Sequence, residues 1–289
     1  MDAQLSARFA ALARLGDNGK PVRTCKVCGG AAPFFDVVDF NKLCSPDVYH
    51  FGLSGVQVPY FQCGECDLLF TDLIDDWSGE EIARFIYNDD YVLVDPEYLG
   101  ARAKRTAVEM AETLKGCEDL RLLDYGSGSG VFAEEMRKAG FRDISSYDPF
   151  SSPERPSGRF SIITCFEAVE HSPTPLPTFL DMQSLLEDDG SILVGQTLQP
   201  NNLKEIGGRW WYLAPRNGHV STYSDRTFLA IAERLGMVYR HGVGLYGFDR
   251  PNLSETVAAA AARVGQQVSW RLVGAPEDQG DPGWHGLES

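Results

Sequence analysis

The sequence predicts an α/β fold, a doubly wound sheet with a small cysteine-bearing module and bridging helices ahead of it. Three observations predict it. From Leu120 onward, short apolar runs alternate with amphipathic stretches, beginning LRLLDY, FAEEMRKAG, ISSYD and FSIITCF, the rhythm of buried parallel strands joined by crossover helices. The first of those runs ends in a glycine loop, LLDYGSGSG, directly before the helical stretch VFAEEM. Upstream, four cysteines stand as two C-x-x-C pairs, CKVC at Cys25 and Cys28 and CGEC at Cys63 and Cys66.

Taken in order, residues 1–20 place Leu5, Phe9, Leu12 and Leu15 on one face of a short helix. They lack the continuous apolar core and cleavage site of a signal peptide, so a cytoplasmic protein is expected. No apolar run approaches the roughly 18 residues of a membrane span. A formal net charge of −15 leaves no basic face for nucleic acid or for an anionic membrane, and neither is expected as a partner. The oligomeric state is not legible.

Residues 21–75 read as a zinc-binding module. The two cysteine pairs are separated by 34 residues; each can put two thiolates on one tight turn, and together they supply a tetrahedral site. Gly29, Gly30 and Gly64 suit the sharp knuckles. Four thiolates leave no open coordination position, which makes the metal structural. The alternative is four unrelated buried cysteines, and His50 could stand in for one ligand. Cys44, Cys117 and Cys165 read as small buried apolar residues.

Residues 76–117 form the bridge. Ser78 is a candidate N-cap with Glu81 three residues on, and a longer helix is expected from about Tyr98 to Leu114 with RAKR on its exposed face. The sheet occupies 118–275, its later elements being PTFLDMQSLLEDDG (helix), SILVGQT (strand), TFLAIAERLG (helix), then MVYRHGVGLYGF and VSWRLVGA (strands). Residues 276–289 read as a flexible acidic tail.

The glycine loop sits where open α/β sheets bind ligands, at the first strand-to-helix turn. Its spacing is G-x-G-x-G through Gly126, Gly128 and Gly130; the dinucleotide fingerprint is G-x-G-x-x-G, and no Lys-Ser/Thr follows as in a phosphate loop. Asp124 beside the cradle would repel a pyrophosphate and suits a cationic ligand such as S-adenosylmethionine. Asp148, 22 residues after Gly126, ends the second strand, where an acid accepts both ribose hydroxyls; a helix-capping aspartate and an NAD site are the alternatives. Only eleven residues separate Asp148 from Phe160, too few for a helix and a further strand, so one sheet edge is expected to be trimmed. Adenine is then expected against Phe150 and Phe166.

LLDYGSGSG, YDPF and FSIITCFEAVEH resemble the first, second and fourth motifs of class I S-adenosylmethionine-dependent methyltransferases, which have a Rossmann-like sheet. CFEAVEH with its following proline-rich turn is similar to the members that act on small molecules, and the cysteine pairs resemble the zinc-binding leader of sugar methyltransferases of deoxysugar and glycan pathways. The resemblance implies that Asp124, Gly126, Gly128 and Gly130 surround the methionine end of the cofactor, that Asp148 takes the ribose, and that Phe166 and Glu167 line the loop after the fourth-motif strand. It also implies aromatic residues such as Tyr87 and Tyr91 over the site.

Methyl transfer needs alignment, exclusion of water and, for a hydroxyl acceptor, a base. His171, closing EAVEH, and His219, in PRNGHVSTYS, are the candidate bases, with Glu167 or Glu170 orienting a ring. Trp210, Trp211, Tyr212 and Arg216, with Arg209, read either as an acceptor pocket for an anionic ring-bearing molecule such as a nucleotide-linked sugar or as a lid closing over core. O-methylation of a sugar hydroxyl is the expectation, ahead of N- or C-methylation. A zinc-module scaffold that binds the cofactor without turnover, or an RNA methyltransferase, are the alternatives.

Overall fold

The computed structural model describes residues 21–44, 51–151, 154–242 and 244–264. The expected N-terminal helix, the VSWRLVGA strand, the acidic tail and His50 lie outside the described residues.

Two sheets form. The first is antiparallel and holds the cysteine module: β1 (Val22–Thr24), β2 (Ala31–Asp39), β3 (Gln57–Gln62) and β4 (Leu69–Phe70), in that spatial order. Its fifth strand is not local. β9 (Ser221–Thr222) returns from far along the chain to pair with β4, Leu69 opposite Thr222 and Phe70 opposite Ser221.

The bridge follows as α1 (Gly79–Phe85), α2 (Tyr91–Val94) and α3 (Ala101–Thr113). The capping box at Ser78 is present: Glu81 N–H donates to Ser78 Oγ at 3.3 Å and Ser78 N–H to Glu81 Oε2 at 2.8 Å. Ser78→Ala is expected to cost about 1 kcal/mol, read as a lower urea midpoint with an unchanged slope. α3 begins at Ala101 rather than Tyr98 because Gly100 takes φ 123°, outside helical space. Arg102 and Arg105 are also not simply solvated: Arg102 grips Asp95 with two bonds at 2.9 and 2.7 Å, and Arg105 grips Glu97 likewise.

The second sheet has six strands in the order β10-β11-β8-β7-β5-β6. β5 (Arg121–Tyr125), β6 (Asp143–Tyr147), β7 (Phe160–Phe166) and β8 (Leu186–Gly195) run parallel. β11 (Leu245–Asp249) and β10 (Val238–Arg240) add on antiparallel, so MVYRHGVGLYGF is a hairpin and not one strand. β6 is the edge, which is the trimming that the eleven-residue gap required. The helix after β7 is shorter than its pattern: α5 (Pro175–Leu185) stops where Leu186 turns extended and pairs with Phe160.

Neighbouring residues on one strand face opposite layers. Leu123, Ile163, Ile192 and Val194 pack with α5 and α7 (Asp225–Leu235), through Phe179, Met182, Phe228 and Ile231. Leu122, Ile162 and Leu193 pack on the other face with α3, α4 (Val131–Lys138) and α8 (Glu255–Val264), through Met110, Phe132, Met136 and Val257. The sheet is therefore doubly wound. Between β8 and β9 lie α6 (Leu203–Ile206) and two short 3-10 turns. A further core joins the module, the bridge and this segment, uniting Tyr60, Leu69, Ile86 and Tyr91 with Trp210, Tyr212 and Val220.

Candidate functional site

From β5 the chain crosses to β6 on one side and then to β7 on the other, so the strand order reverses there. A crevice opens at such a point, beyond the carboxyl ends of the strands. Asp124 stands one residue before the end of β5, only 3% exposed, and its Oδ2 has no hydrogen-bond partner. Burial, helped by the charge of Asp148, pushes its carboxyl up to about 7. Gly126 follows with φ 77°, and a Cβ there would come within 2.5 Å of the Ala168 methyl, so only glycine fits. At Gly128 (φ 50°) nothing stands within 4 Å of the missing side chain, and its N–H donates to Asp148 Oδ2 at 3.0 Å. Gly130 starts α4. Asp148 Oδ1 accepts from the Phe150 N–H at 2.9 Å. The loop, Asp124 and Asp148 thus form one continuous cradle.

The two phenylalanines separate. Phe150 is exposed and lines a small cleft with Ile74, Ile82, Ile86, Tyr87, His171 and Gly218. Phe166 packs beneath the sheet end, its ring 5.2 Å from that of Phe132 and against the Cα of Gly195.

After β7, Glu167 takes φ 46°, a conformation uncommon for a residue with a side chain and often found at functional positions. Its N–H donates to Gly195 O at 2.9 Å, and its Oε1 is shut from solvent without a partner. Desolvation, reinforced by the charge of Glu170, raises its carboxyl well above the usual range; Arg102 opposes the shift. Arg102 is the nearby cation that sequence reasoning missed, since RAKR looked like an ordinary solvated face.

A 3-10 turn, Val169–His171, then presents Glu170 and His171. Glu170 is 0% exposed; its Oε1 accepts from the Tyr212 hydroxyl at 2.8 Å, while Oε2 has no partner. His171 Nε2 lies 3.8 Å from Glu170 Oε1, and its Nδ1 is buried without a partner. Gly218, at φ 89°, sits beside that nitrogen, and a Cβ on it would approach Nδ1 to 2.9 Å.

β9 carries the second histidine to the first. The rings of His171 and His219 are 5.0 Å apart, edge to face. His219 Nδ1 is 2.8 Å from Tyr212 O; a carbonyl only accepts, so the proton sits on Nδ1 and Nε2 carries the lone pair. Burial, with His171 adding to it, drops the His219 pKa well below its ordinary value, and the ring is neutral at pH 7. Cys44 Sγ approaches the same ring at 3.5 Å, whereas Cys165 is buried and Cys117, also buried, donates to Thr256 O at 3.9 Å. Glu170, His171 and His219 each offer an atom within 4.8 Å of the others, close enough to share one bound group.

The aromatic segment is placed differently from an open acceptor wall. Trp210 is 4% exposed and Tyr212 2%, both in the core, with Trp211 partly buried beside them. Arg216 donates to Ile86 O at 2.6 Å and to Asn88 Oδ1 at 2.9 Å, and Arg209 bonds to the carbonyls of Ile206 and Glu205. Tyr91 is buried between Tyr87 and Tyr98, its hydroxyl donating to Asn217 O at 3.1 Å. In sequence, an aromatic that packs a core and one that faces a ligand look the same.

The four module cysteines meet. Their sulfurs lie within 4.8 Å of one another, with Cys25 to Cys66 at 3.5 Å and Cys28 to Cys63 at 3.3 Å. A tetrahedron of sulfurs around zinc has edges of about 3.8 Å for bonds of about 2.3 Å, so the cluster is the size such an ion needs. The N–H groups of Val27, Gly30 and Glu65 point at sulfurs of the set at 3.4 Å. The knuckles dock on α7, where Thr227 donates to Cys66 O and Arg234 to Cys28 O.

A family model described as a methyltransferase domain matches residues 96–241, half of the chain. The ubiquinone biosynthesis O-methyltransferase of Aromatoleum aromaticum is 26% identical over 163 residues, 43% of this chain and 70% of that protein. The enzyme of the same description from Actinobacillus pleuropneumoniae is 27% identical over 123 residues, 31% of this chain; the chain spans about half its length, 52%. Among solved structures, Streptomyces venezuelae DesVI is 16% identical, with 56% of this chain and 98% of that one covered, at a TM-score of 0.41.

Proposed function

The chain belongs to this methyltransferase-domain family and is an S-adenosylmethionine-dependent methyltransferase, and from that premise we propose O-methylation of a small-molecule hydroxyl, on a sugar or nucleotide-linked sugar. The observation that carries the reading is the meeting of His171 and His219 over buried Glu170, at the same sheet end as Asp124 and the glycine cradle.

The unpartnered Oδ2 of Asp124, the open space at Gly128 and the carboxylate of Asp148 fit a cationic nucleoside. When bound, S-adenosylmethionine supplies an electrophilic methyl group. Asp124 and Glu167 would face its positive charges and Asp148 its ribose. His171, lining the cleft, removes the hydroxyl proton; Glu170 stabilises the charged ring that results. His219 presents a bare Nε2 that accepts a second hydrogen bond from the acceptor. Tyr87 and Phe150 offer faces on which a sugar ring stacks, and Ile74, Ile82 and Ile86 keep water away. With Arg216 and Arg209 engaged by carbonyls, the ring rather than a phosphate is what this cleft grips. In the module, Cys25, Cys28, Cys63 and Cys66 would hold a structural zinc ion.

Incubation with methyl-labelled cofactor and a panel of sugars and nucleotide-linked sugars tests the assignment, a gain of one methyl on a hydroxyl being the expected product. Methylation confined to RNA, or cofactor binding without any product, would replace it.

Asp124 ties cofactor binding to pH. Its folded-state pKa lies above the unfolded value of 3.8, at about 7. The stability it contributes to the cofactor-free protein is therefore complete below pH 4 and lost as pH rises through 7, a swing on the order of 4 kcal/mol. A cationic ligand needs the ionised form, so affinity should fall about tenfold per pH unit below 7, roughly 50-fold between pH 7 and pH 5. Calorimetric titration with S-adenosylmethionine across that range measures it, and Asp124→Asn should bind more weakly at pH 7 with a shallower slope.

A further inference from the structure

Tyr212 is buried in the core that joins the module to the sheet, where a phenol must find an acceptor or lose its hydration without return. It finds Glu170, donating to Oε1 at 2.8 Å. Its backbone carbonyl takes the Nδ1 proton of His219 at 2.8 Å, and its ring centroid lies 4.2 Å from that imidazole. Through Glu170 Oε1 the same side chain reaches His171, whose Nε2 is 3.8 Å from that oxygen. One residue thus touches both histidines of the pair, one directly and one through a single carboxylate.

We infer that Tyr212 is the positioning residue of this site: its hydroxyl holds the Glu170 carboxylate at His171, and its carbonyl holds His219 in the tautomer with a bare Nε2. This deepens the methyl-transfer reading and rests on it for the functional consequence, although the bonds themselves are testable without an acceptor. Of the two orientations the sequence leaves open, a ring facing substrate or a lid over core, burial selects the second and leaves its two polar groups on the histidine pair. Hydroxyl-to-carboxylate bonds of this kind are strong because the acceptor is charged. Removing the donor leaves Glu170 with its charge less shared, so it draws a proton onto His171 more strongly. The other titratable or charged groups around the pair are Glu167 beyond β7, Arg102 on α3, Lys42 and Cys44 after β2, and Tyr87 and Tyr91 of the bridge. Tyr212→Phe leaves all of them in place.

The experiment is an NMR titration of the chain carrying 15N-labelled histidine, signals assigned with His171→Gln and His219→Gln. In Tyr212→Phe the His171 titration should move up by about half a unit to one unit, while His219 keeps its Nδ1–H tautomer because the carbonyl partner remains. In a Glu170→Gln background the same replacement should move His171 no further. Once an acceptor is in hand, the acidic limb of kcat should shift with it and kcat fall about tenfold, with the KM for cofactor within twofold. An unmoved His171 titration, or an equal shift in the Glu170→Gln background, overturns the inference. If Tyr212→Phe does not fold, Glu170→Gln alone tests the link, since it should lower the His171 titration. Loss of the methyl-transfer reading would show separately, as wild-type protein that binds no S-adenosylhomocysteine by calorimetry.

Discussion

Cys63→Ser is expected to lose the bound metal and, with it, the fold. Cys63 is 1% exposed and lies in the same core as Tyr223, Phe228 and Ile231. A four-thiolate site contributes on the order of 10 kcal/mol to the folding of the structure it closes, against a total stability of about 5–15 kcal/mol for a typical protein. The damage would not stay in the module. Its knuckles are bonded to α7, and β4 holds β9, the strand that fixes His219. Metal analysis of the wild type should give about one zinc per chain, and a chelator should reproduce the variant's loss of cooperative melting. A metal-free wild type melting where the metal-loaded protein does would remove the zinc assignment.

His171→Gln and His219→Gln should each lower kcat by about 10²–10⁴, the usual contribution of a positioned acid or base. Affinity for S-adenosylhomocysteine should stay within twofold, because neither ring bonds to Asp124, Gly128 or Asp148, the groups of the cradle after β5 and β6. Residues that act as a unit are not additive, so the double variant should fall little below the worse single one. The two also differ in pH behaviour. His219 is held neutral by burial and proximity to His171, so its loss should lower kcat without moving the acidic limb, whereas loss of His171 should abolish that limb. Full turnover in both variants would mean that the pair binds something other than the reacting hydroxyl.

Several features were legible because their physics is short-range. Gly126 is required by its own φ and by one methyl group across the loop. Ser78 and Glu81 bond to each other within a single helical turn. The gap between Asp148 and Phe160 was too short for another strand, and the sheet does end at β6. The two C-x-x-C turns carry their own spacing, and the sulfurs come together as the turns imply. The hairpin of β10 and β11 is not legible because its turn lies inside one run of strand-forming residues, and which half is buried, β11 and not β10, is decided by pairing with β8. Arg102 and Arg105 were misread because a charge on a helix shows nothing of the loop it will reach back to clamp.

The cradle, the cysteine knuckles and the alternating elements are written in neighbouring residues, since backbone sterics, capping and period-two burial act over a few positions. The histidine pair is not. It exists because Leu69 pairs with Thr222 across 153 positions, which brings the segment after β8 under the module and turns Trp210, Tyr212 and Arg216 into core. Which face of an aromatic segment is buried follows from what the rest of the chain packs against it. That long-range choice made Tyr212 an inward hydrogen-bond donor and brought His219 to His171.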